Sequence, residues 1–134
     1  MSEKNVGVAR EIVEAWNTGG LDALLKFCPE DVVWCPFAEW PDGAEPRRGH
    51  AGVRELMAAW IDNFDGYQVE IQEIRDLDNR VLVRGEMTGL AKGTGVPIRQ
   101  PLGWVCSDFR EGQIGEVRFF LTWDETLESA GLSE

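Results

Sequence analysis

The stretch RVLVRGEMTGLAKGTGVPIRQPLGWVCSDFREGQIGEVRFFLTW, residues 80–123, decides the fold. In its first run, Arg80 to Leu90, Val81, Val83, Gly85, Met87 and Gly89 share one parity, and Leu82, Arg84, Glu86 and Thr88 the other. Side chains of an extended strand point alternately to opposite faces, so this pattern describes a strand with one apolar face. The last run, Gln113 to Trp123, repeats it: Gly115, Val117, Phe119, Leu121 and Trp123 stand against Glu116, Arg118 and Thr122. Ile98 to Arg110 lies between them, bounded by Lys92-Gly93-Thr94-Gly95 and Glu111-Gly112, residues that form tight turns. Connections this short join antiparallel neighbours. Upstream, Tyr67 to Leu77 with a turn at Asp78-Asn79 adds a fourth strand to the same sheet.

The first half of the chain has a different period. Val6, Val8, Ala9, Ile12, Val13 and Trp16 recur at three- and four-residue steps, one buried face of a helix from Glu3 to Trp16. Asn17-Thr18-Gly19-Gly20 stops it, and Leu21 to Phe27 is a short second helix ended by Pro29. Asp31 to Cys35 reads as a strand, and Pro36 to Pro46 as a loop carrying Phe37 and Trp40. Val53, Leu56, Met57, Trp60, Ile61 and Phe64 give a third helix over Ala51 to Phe64, and Asp124 to Ala130 a terminal helical turn ending at Gly131. With no repeat or linker, residues 1–134 read as one α+β domain: three helices packed in a curved antiparallel sheet.

The bulk numbers narrow the functional classes. A net charge of −11 repels phosphate backbones and anionic lipids, so neither nucleic acid nor a membrane surface is an expected partner. Met1 to Arg10 mixes acids and bases with no apolar segment, unlike a secretory signal, so a cytoplasmic location is the expectation. Cys28, Cys35 and Cys106 show no paired spacing and come with a single histidine, which argues for reduced thiols and against a metal site. No cofactor is implied.

Parity also assigns roles to the two faces. Arg84, Glu86, Asp108, Glu116 and Arg118 make a cross-strand charge set on the outer face. Trp104, Cys106 and Phe120 are expected to share that face and to form a homodimer contact. On the inner face Gly85, Gly89, Gly103 and Gly115 leave space beside large aromatics, the composition of a cavity.

Four segments carry a family resemblance: NTGGLDALLKFCPEDVVW (17–34), EPRRGHAGVRELMAAW (45–60), KGTGVPI (92–98) and FREGQIGEVRFFLTWDETLESAGL (109–132). Their order and spacing resemble the SnoaL-like members of the NTF2-like superfamily. The resemblance implies a cone of helices inside a curved sheet, usually dimeric, with a pocket for a small hydrophobic molecule. Its relatives include polyketide cyclases, ketosteroid-isomerase-like enzymes, limonene-epoxide-hydrolase-like enzymes and members with no assigned reaction.

The ketosteroid-isomerase pattern fails residue by residue. Its carboxylate base aligns with Cys35 or Pro36, its tyrosine with Ile12 and its donor aspartate near Val105. An epoxide-hydrolase site requires an Asp-Arg-Asp arrangement; Arg84 and Glu86 fall on the outer face, and another required aspartate matches Phe119. A SnoaL-like acid/base mechanism needs one proton-transferring group at the cavity, for which the candidates are Glu39 and Asp42 in the loop and His50 at a helix start. Cys35 lacks a histidine base at useful spacing. The residues expected to grip a ligand are Trp16, Trp34, Trp40, Trp60, Met87, Val105, Phe119, Leu121 and Trp123, with Trp40 at the pocket's lip. Two functions stay open: a cofactor-independent isomerase, cyclase or hydrolase, and a non-catalytic binding module or dimeric scaffold of the same fold.

Overall fold

A computed structural model describes residues 2–40 and 43–132. The chain opens with α1, Ser2–Leu25, which is two helical segments joined at Gly20, where φ is 77° and ψ is −159°. Only glycine adopts that conformation without strain, so the two helices read from the sequence meet there. The first segment buries Val8, Ala9, Ile12 and Trp16, one stripe spaced at helical intervals. α2, Gly49–Asn63, buries Val53, Leu56 and Met57.

The sheet contains β1 (Val33–Cys35), β2 (Arg47–Arg48), β3 (Phe64–Asp76), β4 (Arg80–Ala91), β5 (Pro97–Arg110) and β6 (Gln113–Phe120), in the order β2-β1-β6-β5-β4-β3. The four long strands are consecutive antiparallel neighbours, as their turns predict. β1 and β6 run parallel, so the sheet is mixed rather than wholly antiparallel. A parallel pair needs a long crossover, and here α2 and four strands lie between its members. β3 carries two register shifts against β4, between Asp65 and Gln68 and between Ile71 and Glu73. Such bulges bend a strand, and they wrap the sheet around the helices into a cone.

Register decides the faces. Val83, Trp104 and Phe119 lie on one rung across β4, β5 and β6, and Val81, Cys106 and Val117 on the next. All six pack with the helices. Trp104 and Cys106 therefore face inward, opposite to the expectation, and the homodimer contact assigned to them is not formed by these residues. The other face of β5 carries Val105, opposite Leu82. These two residues pack with Trp123 and Leu127 of α3, Trp123–Ser129. Val105 and Trp123 thus build a second, outer core under the terminal helix, not the cavity.

Gly103 makes that outer packing possible. A side chain there would collide with the Thr126 hydroxyl, which is buried and donates to the Thr122 carbonyl at 2.9 Å. The strand charges face outward as alternation predicts: Arg84 is 49% and Arg118 55% exposed, with ion pairs Arg99–Glu86 at 2.6 Å and Arg118–Glu116 at 3.3 Å. Asp108 departs from the pattern. Its backbone is left-handed, φ 54°, and its carboxylate pairs with Arg110 at 2.6 Å rather than joining the cross-strand set.

Gly103→Ala is expected to lower stability by about 1–3 kcal/mol in urea titrations, with partial recovery in Gly103→Ala/Thr126→Ala. Gly7→Ala, in α1 where an added methyl meets nothing within 4 Å, is expected to raise it by about 0.5–1 kcal/mol. Equal effects at the two glycines would show that α3 does not press on Gly103.

Candidate ligand cavity

Between α1 and the inner face of the sheet lies a cavity of about 60 Å³. α1 supplies Ile12, Val13, Trp16 and Leu24, and α2 supplies Met57. The sheet contributes Trp34 from β1, Tyr67 and Val69 from β3, Met87 from β4, Trp104 and Cys106 from β5, and Val117 and Phe119 from β6. Gly85 gives the Trp104 ring its room, since a Cβ there would lie 2.6 Å from the indole. The ring of Phe119 meets Trp34 edge-on at 5.3 Å.

The cavity's outer wall is held by side chains bonding to backbone. Asn17 donates to the Val69 carbonyl at 2.8 Å and accepts from the Val69 N–H at 2.9 Å, pairing with the free edge of β3. The Trp16 indole donates to the Tyr67 carbonyl at 3.2 Å. At the other end of α1 the carbonyls past the last turn are taken up by one side chain and one strand N–H. His50 Nε2 donates to Cys28 O at 2.8 Å, and the Ile114 N–H to Phe27 O at 2.7 Å.

A smaller void of about 20 Å³ adjoins the cavity beneath the Pro36–Trp40 segment, and the two share Met57, Met87 and Phe119. Outside it an open groove of about 580 Å³ runs between the loop, the end of β6 and α3. Among the described residues no charged side chain lines the inner cavity; its polar groups are the Tyr67 hydroxyl, indole N–H groups and the Cys106 thiol. The Trp34 N–H has no oxygen or nitrogen partner and leans on the Cys28 sulfur.

Comparison with known proteins agrees with this geometry. The family model described as "SnoaL-like domain" matches residues 9–117. The chain belongs to the SnoaL-like domain family. Among solved structures it resembles a protein of ketosteroid-isomerase-like fold from Catenulispora acidiphila in complex with trimethylamine, at 18% identity over 93% of this chain and 92% of that one, TM-score 0.71. An NTF2-like protein from Burkholderia xenovorans is 24% identical over 100% and 98%, TM-score 0.68. TerC, co-crystallised with polyporic acid, is 17% identical over 96% and 97%, TM-score 0.74. Identities this low establish the fold alone. No curated protein matches the chain.

Against that SnoaL-like frame the sequence-derived site divides. Trp16, Trp34, Met87 and Phe119 line the cavity, and Trp40 and Trp60 the adjoining void. Trp40 is only 9% exposed; it packs edge-on against Phe37 at 5.3 Å and against Trp60 at 5.6 Å, so it plugs the interior instead of marking a lip. Leu121 lies past the end of β6 in the outer groove. Glu39 is exposed and lines the same groove, and Asp42 lies outside the described residues. His50 is a structural clamp on Cys28, distant in role from the cavity. Sequence reasoning missed Tyr67, Val69, Met57 and Trp104 as lining residues, along with Ile12, Val13, Leu24, Cys106 and Val117. Tyr67 and Val69 share a parity in β3, but the bulge at 71–73 moves the inward set to Ile74, which blurs the pattern over the whole strand.

Burial governs the thiols. It pushes Cys106 up to about 12, with Cys28 adding to the effect, and Cys28 up to about 12, tempered by the Trp34 N–H. Cys35 is half-buried at the groove; its burial raises it, Arg118 and Arg48 oppose that, and Glu116 adds to it. Ellman's reagent at pH 8 is therefore expected to modify Cys35 first, with Cys28 and Cys106 reacting only at the rate of unfolding. Between pH 9 and 12 the unfolded thiols ionise while the native ones keep their protons, so stability falls as pH rises through that window. Three equally fast thiols, or a flat alkaline limb, would contradict the buried placement.

Proposed function

We propose that this SnoaL-like protein binds one small, uncharged, largely apolar molecule in the inner cavity. The observation that carries this is the lining itself, three tryptophans, a tyrosine, a phenylalanine, two methionines, a cysteine and aliphatic side chains, with no ionised group among the described residues. An anion or ammonium entering it would lose its hydration and find no opposite charge. Size supports the same conclusion. A space of about 60 Å³ exceeds what one water requires but falls short of the ~150 Å³ that holds benzene, so a single ring enters only if the wall yields. Met57 and Met87, flexible side chains standing between the two voids, allow that. Trimethylamine and polyporic acid, bound by the two solved relatives, support a small-molecule role for the fold.

A second reading, a cofactor-independent cyclase or isomerase, rests on Glu39. The groove it lines shares Pro36, Phe37 and Phe119 with the interior voids, so a substrate reaching through that wall would meet a carboxylate. In that case Glu39→Gln abolishes turnover without affecting affinity.

The test is thermal unfolding with toluene, benzoate and tetramethylammonium. Toluene is expected to raise Tm, and the two ions to leave it unchanged. Val69→Phe, which fills the cavity, is expected to remove the toluene effect. Stabilisation by either ion as large as that by toluene, or none by toluene, would overturn the assignment.

A further inference from the structure

The outer groove of about 580 Å³ is built by elements that the sheet brings together. β1 ends at Cys35, opposite Arg118 of the parallel strand β6, so the Pro36–Trp40 segment leaves the sheet beside the point where β6 runs on into α3. Between them lies a floor of half-buried side chains, Phe37, Phe119, Phe120 and Leu121. The floor is held from beneath. Phe37 packs against Trp40 at 5.3 Å and Phe119 against Trp34 at 5.3 Å, while Phe120 rests on the outer core. These side chains present a preformed apolar surface, in a hollow of the size that holds a small organic molecule.

The rim is acidic on both sides. Glu39 stands on the loop, and Glu125 and Glu128, three residues apart on one face of α3, stand across from it. Arg118 is the one cation among the described lining residues, and it pairs with Glu116 at 3.3 Å. Three carboxylates against one guanidinium leave the lining negative, and the chain's net charge of −11 adds to that potential. An anion is repelled from such a groove, and so is a second copy of this chain. A small hydrated cation gains little at exposed carboxylates, and an uncharged hydrocarbon makes no use of the rim. A cation that carries a ring uses both. Its body leaves water for the floor, and its charge meets the carboxylates and the negative faces of the phenyl rings.

We propose that the outer groove is a binding site for an amphiphilic organic ammonium, with the ligand's ring on Phe37, Phe119 and Leu121 and its charge toward Glu39 and Glu128. The site is separate from the inner cavity, which takes an uncharged molecule, and it stands independently of that reading. Glu39 and Glu128 act here by charge alone; no bond is made or broken.

The experiment follows amide chemical shifts of the isotope-labelled full chain at low ionic strength. Its probes are naphthylmethylammonium, the uncharged naphthylmethanol of similar shape, naphthoate, and tetramethylammonium, a cation without a ring. Naphthylmethylammonium is expected to shift the amides of Phe37 to Glu39 and of Phe119 to Glu125, and to bind about tenfold more tightly than naphthylmethanol. Naphthoate and tetramethylammonium are expected to leave those amides in place. Glu39→Gln/Glu128→Gln is expected to weaken the ammonium about tenfold and to leave the alcohol within about twofold. Glu3→Gln/Glu11→Gln, which removes the same charge from exposed positions of α1, is expected to change neither, and so is Val69→Phe, which fills the inner cavity. The assignment fails if the alcohol or naphthoate binds as well as the ammonium, or if both pairs of substitutions weaken the ammonium equally. It fails too if the shifts fall at the inner cavity and vanish in Val69→Phe, or if naphthylmethylammonium does not bind.

Discussion

The amide of Asn17 exchanges two hydrogen bonds with the main chain of Val69, and much of the molecule is arranged by that contact. β3 is an edge strand, and an open edge is a row of unsatisfied N–H and C=O groups. A side-chain amide, carrying both a donor and an acceptor, satisfies one residue of that row and locks α1 to the sheet there. Because Trp16 precedes Asn17 and Tyr67 lies two residues before Val69, the same contact sets both aromatic rings against each other. The cavity is the space this clamp leaves between a bent helix and a bent sheet.

The sheet in turn separates two apolar environments that composition alone does not distinguish. On its inner face Val83, Trp104 and Phe119 meet the helices; on its outer face Leu82 and Val105 meet Trp123 and Leu127. Glycine marks both faces for opposite reasons. Gly85 makes room for a side chain of its own sheet, Trp104, whereas Gly103 makes room for Thr126 of the helix outside. Covering part of the outer face with α3 means β5 is apolar on both sides over Leu102 to Cys106. Alternation vanishes in that segment because both faces are buried.

Membership of the SnoaL-like family fixes the scaffold and leaves the chemistry to individual positions. Ile12, which aligns with a catalytic tyrosine of ketosteroid isomerases, does face the cavity, but as an alkyl group. The position aligned near Val105 turns outward, and its inward neighbours are Trp104 and Cys106, an indole and a thiol that stays protonated. Of Cys35 and Pro36, the two positions where a base would stand, the first opens on the outer groove and the second has no titratable group. None of these positions places a carboxylate or a phenol in the interior.

Much of this was legible in the residues themselves. The helix periodicities, the turns at Asp78-Asn79 and Glu111-Gly112, the break at Gly20 and the inward parity of Val83, Met87, Val117 and Phe119 are local properties, each determined by a few neighbouring side chains and their backbone preferences. What only the tertiary structure decided was the pairing of elements distant in sequence. Trp104 and Cys106 were read as outer and are inner, Val105 and Trp123 were read as inner and are outer, and Tyr67 was not singled out at all. A one-residue change of register moves every side chain of a strand to the other face. The pairing of β5 with β4 puts Trp104 opposite Val83 and Val105 opposite Leu82, contacts between residues far apart in sequence.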